Sequence, residues 1–154
     1  EGLQALTDKT ERGPLCLLLL DIDLFKAVND CHGHLLGDKV IRYLGRMLSD
    51  TVKGQDLAAR YGGEEFAVLL PDTPYEGAIK QADQLREKLA LSRLVKAETQ
   101  EPIGQVTISV GVSLFRPDEA PDQFVGRADQ ALYQAKKRGR NRVVGERELG
   151  AQGS

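Results

Sequence analysis

Tryptophan is absent from the 154-residue sequence, aromatic residues make up only 5% of it, and there are two cysteines, two histidines and one methionine. Each shortage excludes something. So few aromatics leave little from which to build stacking platforms for nucleic acid. Cys16 and Cys31 do not make a disulfide framework, and they point to a reducing compartment. A domain of this size buries roughly 68–70% of its unfolded surface, so its core needs neither a disulfide nor a structural metal. Cys31-His32-Gly33-His34 holds three of the four ligands a zinc site needs, and the remaining cysteine, Cys16, belongs to an apolar strand. A basic excess is missing too: 21 Lys plus Arg stand against 23 Asp plus Glu, a net charge of −2. That excludes a protein that coats nucleic acid through its overall field, and any polyanion must be met by local charge. The longest apolar run, Leu15 to Leu20, is far short of the ~20 residues that span a bilayer. No membrane contact is expected of this domain. The sequence opens at Glu1 rather than Met and has no basic-then-apolar leader, so it reads as a piece of a longer protein.

What is present alternates between strand and helix signals. Leu15 to Ile22 is apolar on both faces and bounded by Gly13-Pro14 and by acids, the pattern of a buried central strand. Gly37 to Val52 carries Val40, Ile41, Leu44, Met47 and Leu48 at helical spacing. Leu57 to Tyr61 and Phe66 to Leu70 are strand-like and separated by Gly62-Gly63 and two acids, which predicts a hairpin. Pro74 to Ala90 predicts an amphipathic helix, Val106 to Phe115 a β-branched strand, and Pro121 to Lys137 a final helix capped by Gly139. The last residues, from Gly145 on, are expected to fray. Strands separated by helices, with one hairpin, imply a single sheet with helices packed on it.

The chemistry sits where strands stop. Asp21 and Asp23 follow the most apolar strand, at i and i+2 on one face, and side-by-side carboxylates repel unless a cation lies between them. Alone, this pattern is weak evidence and a solvated strand end is the better explanation; the alternative is a hard ion, Mg²⁺ or Mn²⁺, shared with phosphate oxygens. Gly62-Gly63-Glu64-Glu65-Phe66 adds a second acid pair at a turn whose glycines let backbone approach a ligand closely. Together the pairs predict a four-carboxylate cluster that needs a metal. From Lys136 to Arg142 there are five cations in seven residues. Alone this is a dipole-complementing helix end. Beside metal-binding carboxylates it is what nucleoside triphosphate chemistry requires.

At these residues the sequence resembles the GGDEF family of diguanylate cyclases, in the GGEEF spelling. The resemblance runs from about Leu15 to Val144, through DIDLFKAVND (21–30), GHLLGD (33–38), AARYGGEEF (58–66), TISVGV (107–112) and ADQALYQAKKRGRNRV (128–143). It implies a cyclase-palm-like α/β fold: a mixed, largely antiparallel central sheet with helices around it and the signature at a hairpin turn. Its implied activity is condensation of two GTP into cyclic di-GMP, a bacterial second messenger, with release of two pyrophosphates by a two-fold homodimer. By motif match, Asp21, Glu64 and the main-chain carbonyl of Ile22 hold two Mg²⁺ or Mn²⁺ ions per GTP. Asn29 and Asp38 read the guanine edge, whose donors suit a carboxylate and whose acceptors suit an amide. Lys26, Lys136 and Arg140 grip the phosphates, joined by backbone N–H groups of the Leu24-Phe25-Lys26 turn at a helix start. Glu65 either eases proton loss from the attacking 3′-hydroxyl or serves the metal.

The family's lead-in helix is largely missing, so residues 1–13 are read as its end, 14–145 as the domain and 146–154 as a flexible tail. The family's Arg-x-x-Asp inhibitory site is degenerate: Lys53 replaces the arginine while Asp56 is kept, and Gln84 stands where a second arginine is frequent. Lysine cannot make the planar bidentate contact, so weak or absent product inhibition is expected. A sensory or regulatory domain is expected before this segment in a cytoplasmic or membrane-tethered parent. The rival reading is a catalytically silent module that senses GTP or cyclic di-GMP, which would normally have lost one of Asp21, Glu64 or Glu65. A phosphatase with an aspartyl nucleophile also uses Asp-x-Asp after an apolar strand, but expects Thr or Val where Phe25 stands.

Overall fold

The computed structural model describes residues 13–51, 57–60, 64–95, 99–100 and 104–152. Its centre is strand β1, Leu15–Ile22, in which every residue is buried. The other elements follow in order: α1 Phe25–His32, α2 His34–Thr51, β2 Leu57–Arg60, β3 Glu65–Pro71, α3 Tyr75–Ala90, β4 Ile108–Leu114, α4 Pro121–Lys137, β5 Val143–Gly145 and α5 Glu146–Gln152. The sheet has five strands in the order β2-β3-β1-β4-β5. β1 pairs antiparallel with both β3 and β4, β2 pairs antiparallel with β3, and β5 runs parallel to β4. This is the mixed, largely antiparallel sheet that the sequence predicts, with a hairpin at β2 and β3 around the signature. Gly62 and Gly63 lie outside the described residues, as do residues 1–12.

Burial on both faces of β1 follows from its alternation. Cys16, Leu18, Leu20 and Ile22 face a core shared with α2 and α3, while Leu15, Leu17 and Leu19 face Phe124, Ala128 and Leu132 of α4. Each leucine so buried contributes about 1.5–3 kcal/mol. Together they offset the several kcal/mol that each buried carboxylate at the strand's end costs before it is paired. α4 approaches the sheet closely at Gly111, where a Cβ would lie 2.2 Å from the Ala128 carbonyl oxygen and 2.3 Å from the Leu132 nitrogen. The absent side chain is what lets that helix lie against β4. No helix among the described residues is long and apolar enough to cross a membrane.

Three elements differ from the sequence reading. Residues 25–32 form a separate short helix, α1, whose preceding residue Leu24 is left-handed (φ 54°) and supplies no side-chain cap. β5 adds a fifth strand, with Val143 beside Val110. The segment expected to be a flexible tail from residue 146 instead forms α5. It is tied down by the Glu146 carboxylate, which accepts the Leu114 N–H at 2.6 Å and the Arg127 Nε at 3.1 Å. Arg127 also binds the Glu119 carboxylate, with 2.8 Å between Nη2 and Oε2. Burial pushes the Glu119 carboxyl up, but its hydrogen bonds with Arg127 and the Arg116 N–H outweigh this and hold it below the ordinary glutamate value. The tail was unreadable because a carboxylate on one element and a guanidinium on another fix it.

Candidate active site

Odd-numbered residues of β1 point toward α4, so Asp21 and Asp23 project on the same side as that helix's C-terminal end. The register sets Glu65 of β3 and Ser109 of β4 directly across from Asp21. The Ile22 N–H donates to the Glu64 carbonyl at 3.4 Å, joining the end of β1 to the exit of the signature turn. Asp21, Ile22, Glu64 and Glu65 are thereby gathered at one end of the sheet's centre, as the motifs anticipate.

The electrostatics of that end call for a cation. Asp21 is 4% exposed, and its Oδ1 is buried without a hydrogen-bond partner. Its other oxygen binds the Lys136 ammonium, which reaches across from the end of α4. Burial, then the charge and hydrogen bond of Asp21, push the Glu64 carboxyl above the ordinary value, with Lys136 pulling the other way. Burial and Asp21 raise Glu65 likewise, again opposed by Lys136. A lysine standing on a buried aspartate, and two neighbouring glutamates reluctant to ionise, fit a site for a divalent ion. The donors are oxygens only, as Mg²⁺ or Mn²⁺ prefer.

Asp23 is a correction. In place of a four-carboxylate cluster, its oxygens are occupied: Oδ1 accepts the Ser109 hydroxyl at 2.6 Å, and Oδ2 accepts the Thr107 hydroxyl at 2.8 Å and the Asn141 N–H at 2.9 Å. Among the described residues no three His, Cys, Asp or Glu side chains gather as a metal site. The expected metal set of two carboxylates and one carbonyl does not require a third. Thr107 and Ser109 were missed as functional residues, although two hydroxyls at alternate positions of an otherwise β-branched strand are their signal.

The basic end of α4 is built by a Schellman closure. The Gly139 N–H donates to the Lys136 carbonyl at 3.4 Å and the Arg140 N–H to the Ala135 carbonyl at 3.0 Å, with Gly139 at φ 126°. The capping role predicted for Gly139 is therefore observed. Arg140 and Asn141 follow in left-handed conformations, φ 64° and 47°.

The other expected residues lie across the strand end. Lys26 is exposed in the first turn of α1, which begins without a side-chain cap after the exposed Leu24, while Phe25 is half-buried. Asn29 of α1 lies against Gly37 of α2, where a Cβ would meet its Oδ1 at 1.8 Å. That Oδ1 is buried without a hydrogen-bond partner, and Asp38, the residue after Gly37, is exposed. Lys53 and Asp56 lie outside the described residues. Cys31 is exposed. Cys16 is buried and its thiol pushed up to about 12 by burial, then by Glu146, which makes it an inert core residue.

The family model described as "Diguanylate cyclase, GGDEF domain" matches residues 1–142. The response regulator PleD of Caulobacter vibrioides (strain NA1000 / CB15N) is 43% identical over 134 residues, 86% of this chain and 29% of PleD. Diguanylate cyclase DgcP of Pseudomonas aeruginosa is 43% identical over 131 residues, 85% of this chain and 19% of DgcP. The chain thus spans less than a third of the length of these curated relatives. The crystal structure of the GGDEF domain of DgcB from Caulobacter crescentus in complex with c-di-GMP has a TM-score of 0.90 at 36% identity, covering 94% of this chain and 83% of that one. The active GGEEF domain of a diguanylate cyclase from Vibrio cholerae has a TM-score of 0.83 at 34% identity, over 92% and 90% of the two chains. With its fold, its acid pair at the end of β1 and its family match in agreement, the chain belongs to the GGDEF domain family.

Proposed function

We propose that this chain is the catalytic domain of a diguanylate cyclase and that it joins two GTP molecules into cyclic di-GMP. The observation that carries the reading is the pairing of Lys136 with Asp21 at the end of β1, where the Glu64 carbonyl accepts the Ile22 N–H. Guanine lies between α1 and α2, with Asn29 and Asp38 on its edge. The triphosphate runs over the end of β1 to Lys136 and Arg140, with Lys26 and the amides of the Leu24-Phe25-Lys26 turn on its near side. Asp21, Glu64 and the Ile22 carbonyl would hold two Mg²⁺ or Mn²⁺ ions per GTP, which when bound neutralise charge on the bridging phosphate oxygens.

In each of two equivalent steps, a 3′-oxygen bonds to the α-phosphorus of the other GTP. The α–β bridging bond breaks and pyrophosphate leaves. A carboxylate whose proton affinity is raised is suited to take the 3′-hydroxyl proton, and Glu65 carries that shift through burial and Asp21. Lys136, which pairs with Asp21 at the end of β1, is the cation placed to bind phosphate. One domain supplies one triphosphate site, so turnover requires a two-fold homodimer that sets the two nucleotides antiparallel. The domain acts in the cytoplasm, supported by a GTP substrate and unpaired cysteines.

The test incubates the chain, fused to a parallel coiled coil that enforces a dimer, with GTP and Mg²⁺, and separates products by mass. Cyclic di-GMP with two pyrophosphates per molecule is expected. A folded dimer that binds GTP but makes no cyclic di-GMP would instead establish a silent sensor module.

A further inference from the structure

Asp23 is 8% exposed, and among the described residues both of its carboxylate oxygens accept hydrogen bonds. It accepts hydrogen bonds from Ser109 and Thr107 at the start of β4 and from the Asn141 N–H just past α4. Asn141 is held from the other side as well: its Oδ1 accepts the Arg86 Nη1 of α3 at 2.9 Å, while the Arg86 Nε binds Asp83 at 2.8 Å. Arg140 and Asn141 are both left-handed, a conformation that residues with a Cβ adopt reluctantly and that the surroundings must enforce. Between the Schellman closure at Gly139 and this two-sided grip, the backbone that carries Arg140 has both of its ends fixed.

We propose that Asp23 and Arg86 are positioning residues that clamp Asn141 and so fix the phosphate-binding cations of the α4 end over the metal carboxylates. On this view the two aspartates of Asp21-Ile22-Asp23 divide the work: the first faces the ion, and the second holds the basic segment in place. Neither Asp23 nor Arg86 touches the nucleotide. The inference rests on the diguanylate cyclase reading for what the cations bind, but the clamp itself exists without nucleotide.

The test uses three variants. Asp23→Asn keeps the volume and an acceptor for Ser109 but turns an amide donor toward the Asn141 N–H. Arg86→Met removes the outer grip, and Asn141→Gly keeps the left-handed backbone and the N–H while losing the Arg86 contact. Hydrogen exchange of the Asn141 amide, measured without nucleotide, is expected to accelerate about tenfold in Asp23→Asn. Affinity for 3′-deoxy-GTP, which lacks the attacking hydroxyl, is expected to fall about tenfold in Asp23→Asn and about threefold in Arg86→Met and Asn141→Gly. Affinity for 3′-deoxy-GMP should change less than about twofold, because the lost contacts act beyond the first phosphate. Binding of Mn²⁺ alone, followed by electron paramagnetic resonance, should be unchanged in Asp23→Asn and lost in Asp21→Asn.

Equal weakening of both nucleotides, unchanged exchange at Asn141, or loss of Mn²⁺ binding in Asp23→Asn would overturn the clamp. If Asp23→Asn fails to fold, Arg86→Met and Asn141→Gly decide the matter through the same exchange and affinity measurements. A wild-type chain that binds neither nucleotide would strike at the diguanylate cyclase reading, while the exchange measurement would still judge the clamp.

Discussion

Glu64, proposed as a metal ligand, shows how a site carboxyl stores unfavourable energy in the free protein. Its folded-state carboxyl is raised above the ordinary 4.5 by burial and by Asp21. A raised acid favours the fold below pH 4.5, and that contribution is lost as the pH rises through the folded value, so at neutral pH the ionised group opposes folding. Glu64→Gln is therefore expected to stabilise the metal-free protein at pH 7. The gain is no more than about 1 kcal/mol, because solvent screens a half-buried carboxylate. At pH 4 the gain should vanish, and cyclic di-GMP formation should fall about 10²-fold or more at any pH. Thermal melts at the two pH values check the sign; a variant less stable than wild type at pH 7 would refute the repulsion. Asp21 and Glu64 were readable from sequence because an acid after an apolar strand, or after two glycines, has few other reasons to be there. The different fate of Asp23 was not. The i and i+2 spacing treats both aspartates alike, and what separates them is a backbone amide 118 residues away.

At the level of elements, the delivery of Lys136 depends on how closely α4 lies on β4. Gly111→Ala would place a methyl group 2.2 Å from the Ala128 carbonyl oxygen, backbone that has no room to yield without moving the helix. The expected cost is about 1–3 kcal/mol of stability. A displaced α4 end should also weaken GTP binding beyond what stability alone explains. Chemical denaturation with a parallel binding titration reads both; a variant with wild-type affinity would show that helix approach does not set the site. The long periodic elements, β1, α2, α3, β4 and α4, were legible because their burial patterns lie within single segments. α1 was legible only as a helix start implied by the family resemblance, and β5 and α5 were not legible. α1 begins after a left-handed leucine rather than a capping residue, and α5 follows β5 without a linker, its first residue fixed by Leu114 and Arg127.

At the scale of the whole molecule, a net charge of −2 hides a division into an acidic strand end and a basic helix end. That segregation, rather than the sum, determines what the protein can bind. We propose that Lys53, standing where the family has an inhibitory arginine, weakens the response to product at this scale. Turnover measured against added cyclic di-GMP is expected to persist well above low micromolar product; half-inhibition at or below that range would show that lysine suffices.

On the proposed reading two identical domains each bring one GTP, which makes association part of the chemistry. The most direct measurement is the initial rate of cyclic di-GMP formation from GTP and Mg²⁺ as a function of the concentration of the untethered chain. Where the domain is mostly monomeric, the rate should rise with the square of concentration, and it should become linear once dimers dominate or are enforced. A rate linear from the lowest concentration, or no cyclic di-GMP even from enforced dimers that bind GTP, would contradict the account.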